Sequence, residues 1–397
     1  MNKKILTNNK WPVFEKDEIN LASKILSSGR VNYWTGNHGK LFEAEFAKYH
    51  GMKYSIALAN GTLALELALS SFNIGNGDEV IVPSRTYIAT ASSVFIIGAK
   101  PIVAEIDKNS GNITVGTIEA VKTKKTKAII VVHIAGWPCD MKSIMAYAKK
   151  NNLVVIEDCA QAHGAEINSK KVGSYGDAAA FSFCQDKIMT TCGEGGMVLF
   201  KRKAQYIKAW SFKDHGKSYA AVHKKDNSVG FKWLIESFGS NYRMTEIQSA
   251  VGRLQLKKLN RWIKVRRKNA DILDKHFRSF NAYVRVPSIP KNIKHARYKY
   301  YIYINTNMLK KNFTRDKIIK EFIKNNIPCF SGSCSEIYQE KAFIKSGLKP
   351  KKRYPIAKEL GETSLTFLID PTVTEKDLLH LCEVSKDIFS KAFIKLI

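Results

Sequence analysis

Residues 54–107 read YSIALANGTLALELALSSFNIGNGDEVIVPSRTYIATASSVFIIGAKPIVAEID. Short apolar and β-branched runs (SIALA, EVIVP, PIVAEI) alternate with longer stretches of helical spacing (LALELALSSF, ATASSVFIIG). That alternation of strand and helix is the rhythm of a parallel sheet with crossover helices, so an α/β fold is expected. At the first strand-to-helix junction stand Asn60, Gly61 and Thr62. Gly61 lets a ligand approach the backbone and Thr62 supplies a hydroxyl. The first N–H groups of the following helix lack partners within it, which makes this junction a phosphate seat.

The sheet continues downstream. AIIVVHIAG (128–136) and LVVIED (153–158) read as strands, with a helix, MKSIMAYAKKNN, between them. Glu157 and Asp158 therefore fall at the carboxyl end of a strand, where parallel sheets place their ligands. Next, GDAAAFSFCQDKIMTTCGEGGMVLF (176–200) sets Lys187 on a polar, glycine-rich connection between two apolar strand-like runs. A lysine sheltered there, with Asp186 its one adjacent acid, is desolvated. Desolvation favours the neutral amine, the form that attacks a carbonyl to make a Schiff base. Asp158 and Lys187 are separated by about one excursion from the sheet and are expected to converge.

Residues 11–50 carry two helical patterns separated by SGRVNYWTGN. Tyr33 and Trp34 in that loop are costly to leave in water and are expected to pack on something, such as a partner subunit. Residues 201–230, including WSFKDHGKSYAAVHKKDNS, are polar enough to predict a surface loop near the site. An amphipathic helix is expected from Thr245 as N-cap. From about residue 285 a β-rich strand, YKYYIYINT, and two amphipathic helices predict a smaller α+β unit. The division expected is a large domain over 1–265, with an N-terminal segment 1–50, and a small C-terminal domain over 266–397.

The 397 residues are 45% hydrophobic and 11% aromatic, which fits a globular protein with a core and not a disordered chain. MNKKILTNNKW lacks the apolar stretch of a signal peptide, and the longest apolar runs are too short to cross a bilayer, so a soluble protein without membrane association is expected. Seven cysteines without a CxxC pair suggest neither a disulfide framework nor a zinc site, and a reducing cytoplasm fits. The net charge of +29 raises the question of a polyanion partner. Its local peaks, VKTKKTK (121–127), KKLNRWIKVRRK (257–268) and KPKKRY (349–354), lack the interleaved aromatics and glycine signatures of RNA-binding modules. They read as solvated faces with a bias toward anionic substrates, and no nucleic-acid partner is expected.

A phosphate seat at Gly61 and Thr62, a strand-end carboxylate at Asp158 and a sheltered Lys187 are what pyridoxal 5′-phosphate requires. Its aldehyde needs an amine, its pyridine nitrogen stays protonated beside a carboxylate, and its phosphate needs amides and hydroxyls.

The motifs SGRVNYWTG, NGTLAL, VPSRTYIATA, EDCAQAHGA, FSFCQDKIMTTCGEGGM and NYRMTEIQSAVGRLQL, in this order, resemble those of the DegT/DnrJ/StrS-type sugar aminotransferases. These belong to the fold-type I, aspartate-aminotransferase-like pyridoxal-phosphate enzymes. The resemblance implies a large, mostly parallel mixed-sheet domain and a smaller C-terminal α+β domain. It implies that Lys187 links to the cofactor and then shuttles a proton, that Asp158 holds the pyridine nitrogen, and that Gln161 faces the ring or its 3′-oxygen. Tyr87 would stack on the ring, and Gly61, Thr62 and Ser182 would hold the phosphate. Asn241 would reach the phosphate of a second subunit, making the protein a homodimer. His163, in AQAHGA, reads as a packed histidine, since Lys187 already serves the proton.

Relatives that dehydrate sugars carry histidine at the lysine position, so Lys187 favours transamination. The activity implied is transfer of an amino group, with L-glutamate as expected donor, to a nucleotide-linked keto-deoxysugar for surface polysaccharide or glycan assembly. Arg30, Lys217 and Arg243 are candidates for the substrate's diphosphate. Two other readings stand beside it: an aminotransferase for a small keto-phosphate, and a basic regulatory or nucleic-acid-binding protein that keeps the fold without catalysis.

Overall fold

Two helices, α1 (Lys16–Ser28) and α2 (His38–Tyr49), precede the first strand in the computed structural model, which describes residues 11–224 and 233–394. Residues 54–107 then form β1 (Tyr54–Leu58), α3 (Gly61–Ser71), β2 (Glu79–Pro83), α4 (Ala89–Ile96) and β3 (Lys100–Ala104). They are followed by β4 (Thr126–Val132), α5 (Met141–Lys150), β5 (Val154–Asp158), β6 (Ala178–Ser182) and β7 (Gly196–Phe200). The seven strands make one sheet in the order β1-β7-β6-β5-β4-β2-β3. β7 runs antiparallel to both β1 and β6, and the other pairings are parallel.

Both faces of this sheet are covered, which is why its strands read as apolar runs and not as alternating ones. Ile56, Val80, Ile130 and Val198 pack with Leu65 and Leu69 of α3 and Val94 of α4 on one face. On the other, Ala57, Phe181, Met197 and Leu199 meet Phe42 and Phe46 of α2, while Ile129 and Val131 meet Ile144 of α5.

Helices α6 (Lys203–Lys213) and α7 (Glu246–Arg278) follow β7. Thr245 caps α7 as expected, with a reciprocal bond to Gln248. Leu259, Trp262 and Ile263 of α7 belong to the core under the large sheet, whereas Ala270, Leu273 and Phe277 belong to a separate core. Residue 265 thus lies inside one continuous helix. The second core covers a four-stranded antiparallel sheet of β8 (Val284–Arg285), β9 (Tyr300–Ile304), β10 (Cys329–Phe330) and β11 (Ser364–Phe367), ordered β8-β9-β11-β10. Helix α8 (Glu375–Ala392) supplies Leu378, Leu381 and Phe389 to that core.

The polar stretch expected as a surface loop is largely structured. α6 buries Trp210, and Lys213 and Asp214 are fully buried. Two effects let these charges leave water: the Lys213 ammonium sits 3.7 Å from the Tyr33 ring centroid, and Asp214 is paired with Arg243 at 2.5 Å and Lys217 at 3.1 Å. Trp34 Nε1 donates to Asp214 Oδ2 at 2.8 Å. Tyr33 and Trp34 therefore find cover within their own chain. Residues 225–230 of the expected loop lie outside the described residues. Among the described residues, no helix is long and apolar enough to cross a membrane.

Candidate active site

A cleft of about 870 Å³ opens at the carboxyl ends of the parallel strands. Gly61, Thr62, Tyr87, Asp158, Gln161, Ser182 and Lys187 all line it. They arrive from four connections of the sheet, brought together because parallel strands point their carboxyl ends to one edge.

Asn60 caps α3: its side chain accepts from Leu63 N–H at 3.0 Å. The Gly61 and Thr62 amides carry no hydrogen bond among the described residues, and both residues line the cleft. A Cβ on Gly61 would stand 2.7 Å from Ser182 Cβ, and one on Gly196 would stand 2.2 Å from the Asn60 carbonyl oxygen. These two glycines let β6, β7 and the start of α3 close on one another, which seats Ser182 beside the helix N-terminus.

Asp158 is buried at the end of β5. Its Oδ1 accepts from Ala160 N–H at 3.1 Å and its Oδ2 from Thr90 Oγ1 at 2.9 Å. Burial pushes the carboxyl above its ordinary range, against the pull of those two donors and of Lys187. Gln161 Oε1 accepts from Ala135 N–H at 2.8 Å, leaving its NH₂ as the end available to the cleft. Tyr87 is 69% exposed on the cleft wall.

Lys187 is held by its surroundings. Its carbonyl accepts from Trp11 Nε1 at 2.9 Å, and its Nζ lies 3.3 Å from Asp186 Oδ1 and 5.3 Å from the Tyr298 ring centroid. The Tyr298 hydroxyl also donates to Asp186. Asp186 thus has two partners, and the amine is ion-paired as well as sheltered.

The reading of Glu157 is corrected. Glu157 faces away from the cleft, because successive strand side chains point to opposite faces. It accepts from the amides of Gly173, Tyr175 and Gly176 at 2.8, 2.8 and 2.6 Å, and from His133 Nε2 at 3.0 Å, and so anchors a turn. Asn241, expected to serve a second subunit, does not line the cleft of its own chain; it pairs with Asp214 beside the edge strand β1. Arg243 and Lys217 neutralise Asp214, and Arg30 is exposed elsewhere. His163 is packed, with its ring 5.4 and 5.7 Å from those of Phe181 and Phe183.

The segment 330–334 of CFSGSCSEIY (329–338) also lines the cleft, as do Thr90, Tyr298 and Lys299, which were not anticipated. Thr90 had a signal, since it stands one helical turn after Tyr87. Tyr298 and Lys299 come from the far side of α7, and no local pattern marks them.

The site fits pyridoxal phosphate. A buried carboxylate whose pKa is raised by burial calls for a cation such as a pyridinium. The unbonded amides beside a crowded glycine suit a phosphate, and the Lys187 amine suits an aldehyde. Fold and site together define a pyridoxal-phosphate-dependent aminotransferase.

Comparison with known proteins agrees. Residues 12–385 match the DegT/DnrJ/EryC1/StrS aminotransferase family. GDP-perosamine synthase from Escherichia coli is 35% identical over 378 residues, covering 95% of this chain and 96% of that protein. A UDP-N-acetyl-3-dehydro-alpha-D-glucosamine 3-aminotransferase from Acidithiobacillus ferrooxidans is 34% identical over 93% of each chain. The X-ray structure of an aminotransferase from Psychrobacter cryohalolentis is 50% identical, with a TM-score of 0.94 over 96% of this chain and 98% of that one. The chain belongs to the DegT/DnrJ/EryC1/StrS aminotransferase family.

Proposed function

We infer that this aminotransferase moves an amino group from L-glutamate to the keto carbon of a nucleotide-linked deoxysugar destined for polysaccharide or glycan assembly. The observation that supports it most directly is the convergence of Lys187, Asp158 and the α3 N-terminus on one cleft. The curated relatives named above carry a nucleoside diphosphate in their names, GDP in one and UDP in the other, which supports the substrate class and leaves the base open.

Pyridoxal phosphate, when bound, supplies an aldehyde that accepts the amino group and a ring that withdraws electrons from the bond being broken. Asp158 would hold the ring nitrogen protonated, and Thr90 fixes the carboxylate that does so. The Gly61 and Thr62 amides and Ser182 would bind the phosphate, Tyr87 would cover one ring face, and Gln161 would meet the ring edge. Lys187 Nζ takes the proton from the donor's Cα and returns one, with Asp186 and Tyr298 setting its position.

The reading further holds that residues 1–265 form the cofactor-binding unit and 266–397 supply the substrate-facing wall. It takes the enzyme to be a cytoplasmic homodimer in which Asn241 completes the partner's phosphate seat.

The test is spectroscopic. Purified protein loaded with pyridoxal phosphate should show a visible absorption band that L-glutamate bleaches and a nucleotide keto-sugar restores. A band indifferent to every amino acid would sink the reading.

A further inference from the structure

Beside the cleft lies a second, smaller cavity of about 30 Å³, and Lys299 lines both. Arg85, two residues before Tyr87, forms part of its wall together with Tyr301 and Tyr303 of β9. Arg85 is only 2% exposed. Its guanidinium carbon lies 5.1 Å from the Tyr301 ring centroid and 5.6 Å from that of Tyr303. Its Nη1 is buried and has no hydrogen-bond partner among the described residues.

A desolvated guanidinium nitrogen without an acceptor is costly, and arginine cannot shed its proton to escape the cost. The nearest acidic groups are the phenols of Tyr301, which Arg85 holds below its ordinary range against burial, and Tyr303, which burial keeps above it. Arg297, also on the wall, is paired with Asp274 at 2.5 Å; His295 is kept neutral by burial and by Arg297 and Arg267; and no carboxylate lines the cavity. The cavity shares a wall with the cleft, since the Tyr301 hydroxyl accepts from Ser333 N–H at 3.0 Å and Ser333 lines the cleft.

We propose that Arg85, with Lys299 at the junction, binds a carboxylate of the amino donor. The proposal rests on the transamination reading above. A carboxylate presents two acceptors that match the guanidinium fork. A cavity of this size takes about two water-sized groups, enough for two carboxylate oxygens and too few for a diphosphate. A phosphate of the sugar nucleotide would answer the same guanidinium, so the experiment separates the two sources.

Holoenzyme of wild type, Arg85→Met, Arg85→Lys and Lys299→Met is titrated calorimetrically with glutarate, a dicarboxylate that carries no amino group, and separately with GDP and UDP. Bleaching of the visible band by L-glutamate is followed in parallel. Arg85→Met should weaken glutarate, and raise the half-saturating L-glutamate concentration, by about tenfold or more. Arg85→Lys should recover part of the loss, and the affinity for nucleoside diphosphate should stay within about twofold of wild type. Unchanged glutarate and glutamate dependence, or a loss confined to GDP and UDP, overturns the proposal. If Arg85→Met does not fold, Lys299→Met decides: glutarate binding weakened at an unchanged melting temperature supports the site, and unchanged binding overturns it. A wild type whose band no amino acid bleaches defeats the transaminase reading and this proposal together. Wild-type bleaching with Arg85-independent glutamate saturation defeats the proposal alone.

Discussion

Thr90 Oγ1 donates to Asp158 Oδ2 at 2.9 Å, and Thr86 Oγ1 lies 2.8 Å behind it. A chain of two hydroxyls thus steadies the carboxylate assigned to the cofactor's ring nitrogen. Thr90→Val keeps the shape and removes the donor, leaving a buried carboxylate oxygen short of one bond at a cost of about 1–3 kcal/mol. Turnover should fall about tenfold. Thr90→Ser should restore most of it, and wild-type turnover in Thr90→Val would remove Thr90 from the mechanism.

Lys187→Ala should abolish transamination, by at least about a thousandfold if the lysine alone moves the Cα proton. The Lys187 side chain is 17% exposed and its ion pair with Asp186 reaches the surface, so the melting temperature should scarcely move. The checks are steady-state kinetics and a melt of the same sample.

At Gly61 the prediction is steric. Gly61→Ala drives a Cβ to 2.7 Å from Ser182 Cβ, so the α3 N-terminus and β6 must separate. Overpacking of this kind costs about 1–3 kcal/mol and displaces the amides that face the phosphate. Affinity for pyridoxal phosphate, measured by equilibrium dialysis, should drop together with the melting temperature; loss of stability with full cofactor affinity would contradict the phosphate seat.

His163 gives the protein an acid sensitivity. Burial, with smaller contributions from His50 and Lys187, lowers its pKa from 6.5 to about 3. Between those values the unfolded chain binds a proton that the folded one refuses, so stability is full above pH 6.5 and falls as pH drops toward 3. From pH 7 to pH 5 the loss from this one group is roughly 2 kcal/mol. His163→Phe, which keeps a ring against Phe181 and Phe183, should flatten the pH dependence of the melting temperature in that window. An unchanged slope would place the sensitivity elsewhere.

If Asn241 serves a partner's phosphate seat, Asn241→Ala and Lys187→Ala protein, unfolded and refolded together, should show activity that neither has alone. Mixed dimers would then hold one intact site. Activity no greater than the sum of the two parents would confine Asn241 to its own chain.

Lys187, Asp158 and Gly61 could be placed at one cleft because each stands where a short apolar strand run gives way to turn or helix chemistry, and parallel strands gather such junctions at one edge. Glu157 was misread alongside Asp158 although strand alternation separates them: adjacent residues cannot both face the cleft. Lys213 and Asp214 read as surface charge because composition does not reveal that Tyr33 and Arg243 wait to receive them. Tyr298, Lys299 and Arg85 acquire their roles only when α7 turns the chain back over the site, a placement that rests on packing far from their own neighbours in sequence.

The antiparallel strand β7 also imposes an order of assembly. Among the described residues, β1 joins the large sheet only through β7, with Tyr54 opposite Phe200. On the ribosome, the first strand therefore has no sheet partner until residue 200 has emerged, long after β2 to β5 can pair with one another. Helix α3, whose N-terminus carries the phosphate-facing amides, begins just after β1 and cannot meet Ser182 and Gly196 before then. A nascent chain shorter than this has no finished seat for the cofactor, so capture of pyridoxal phosphate is a late event of biosynthesis, and the unpaired early strand is the segment in need of protection meanwhile.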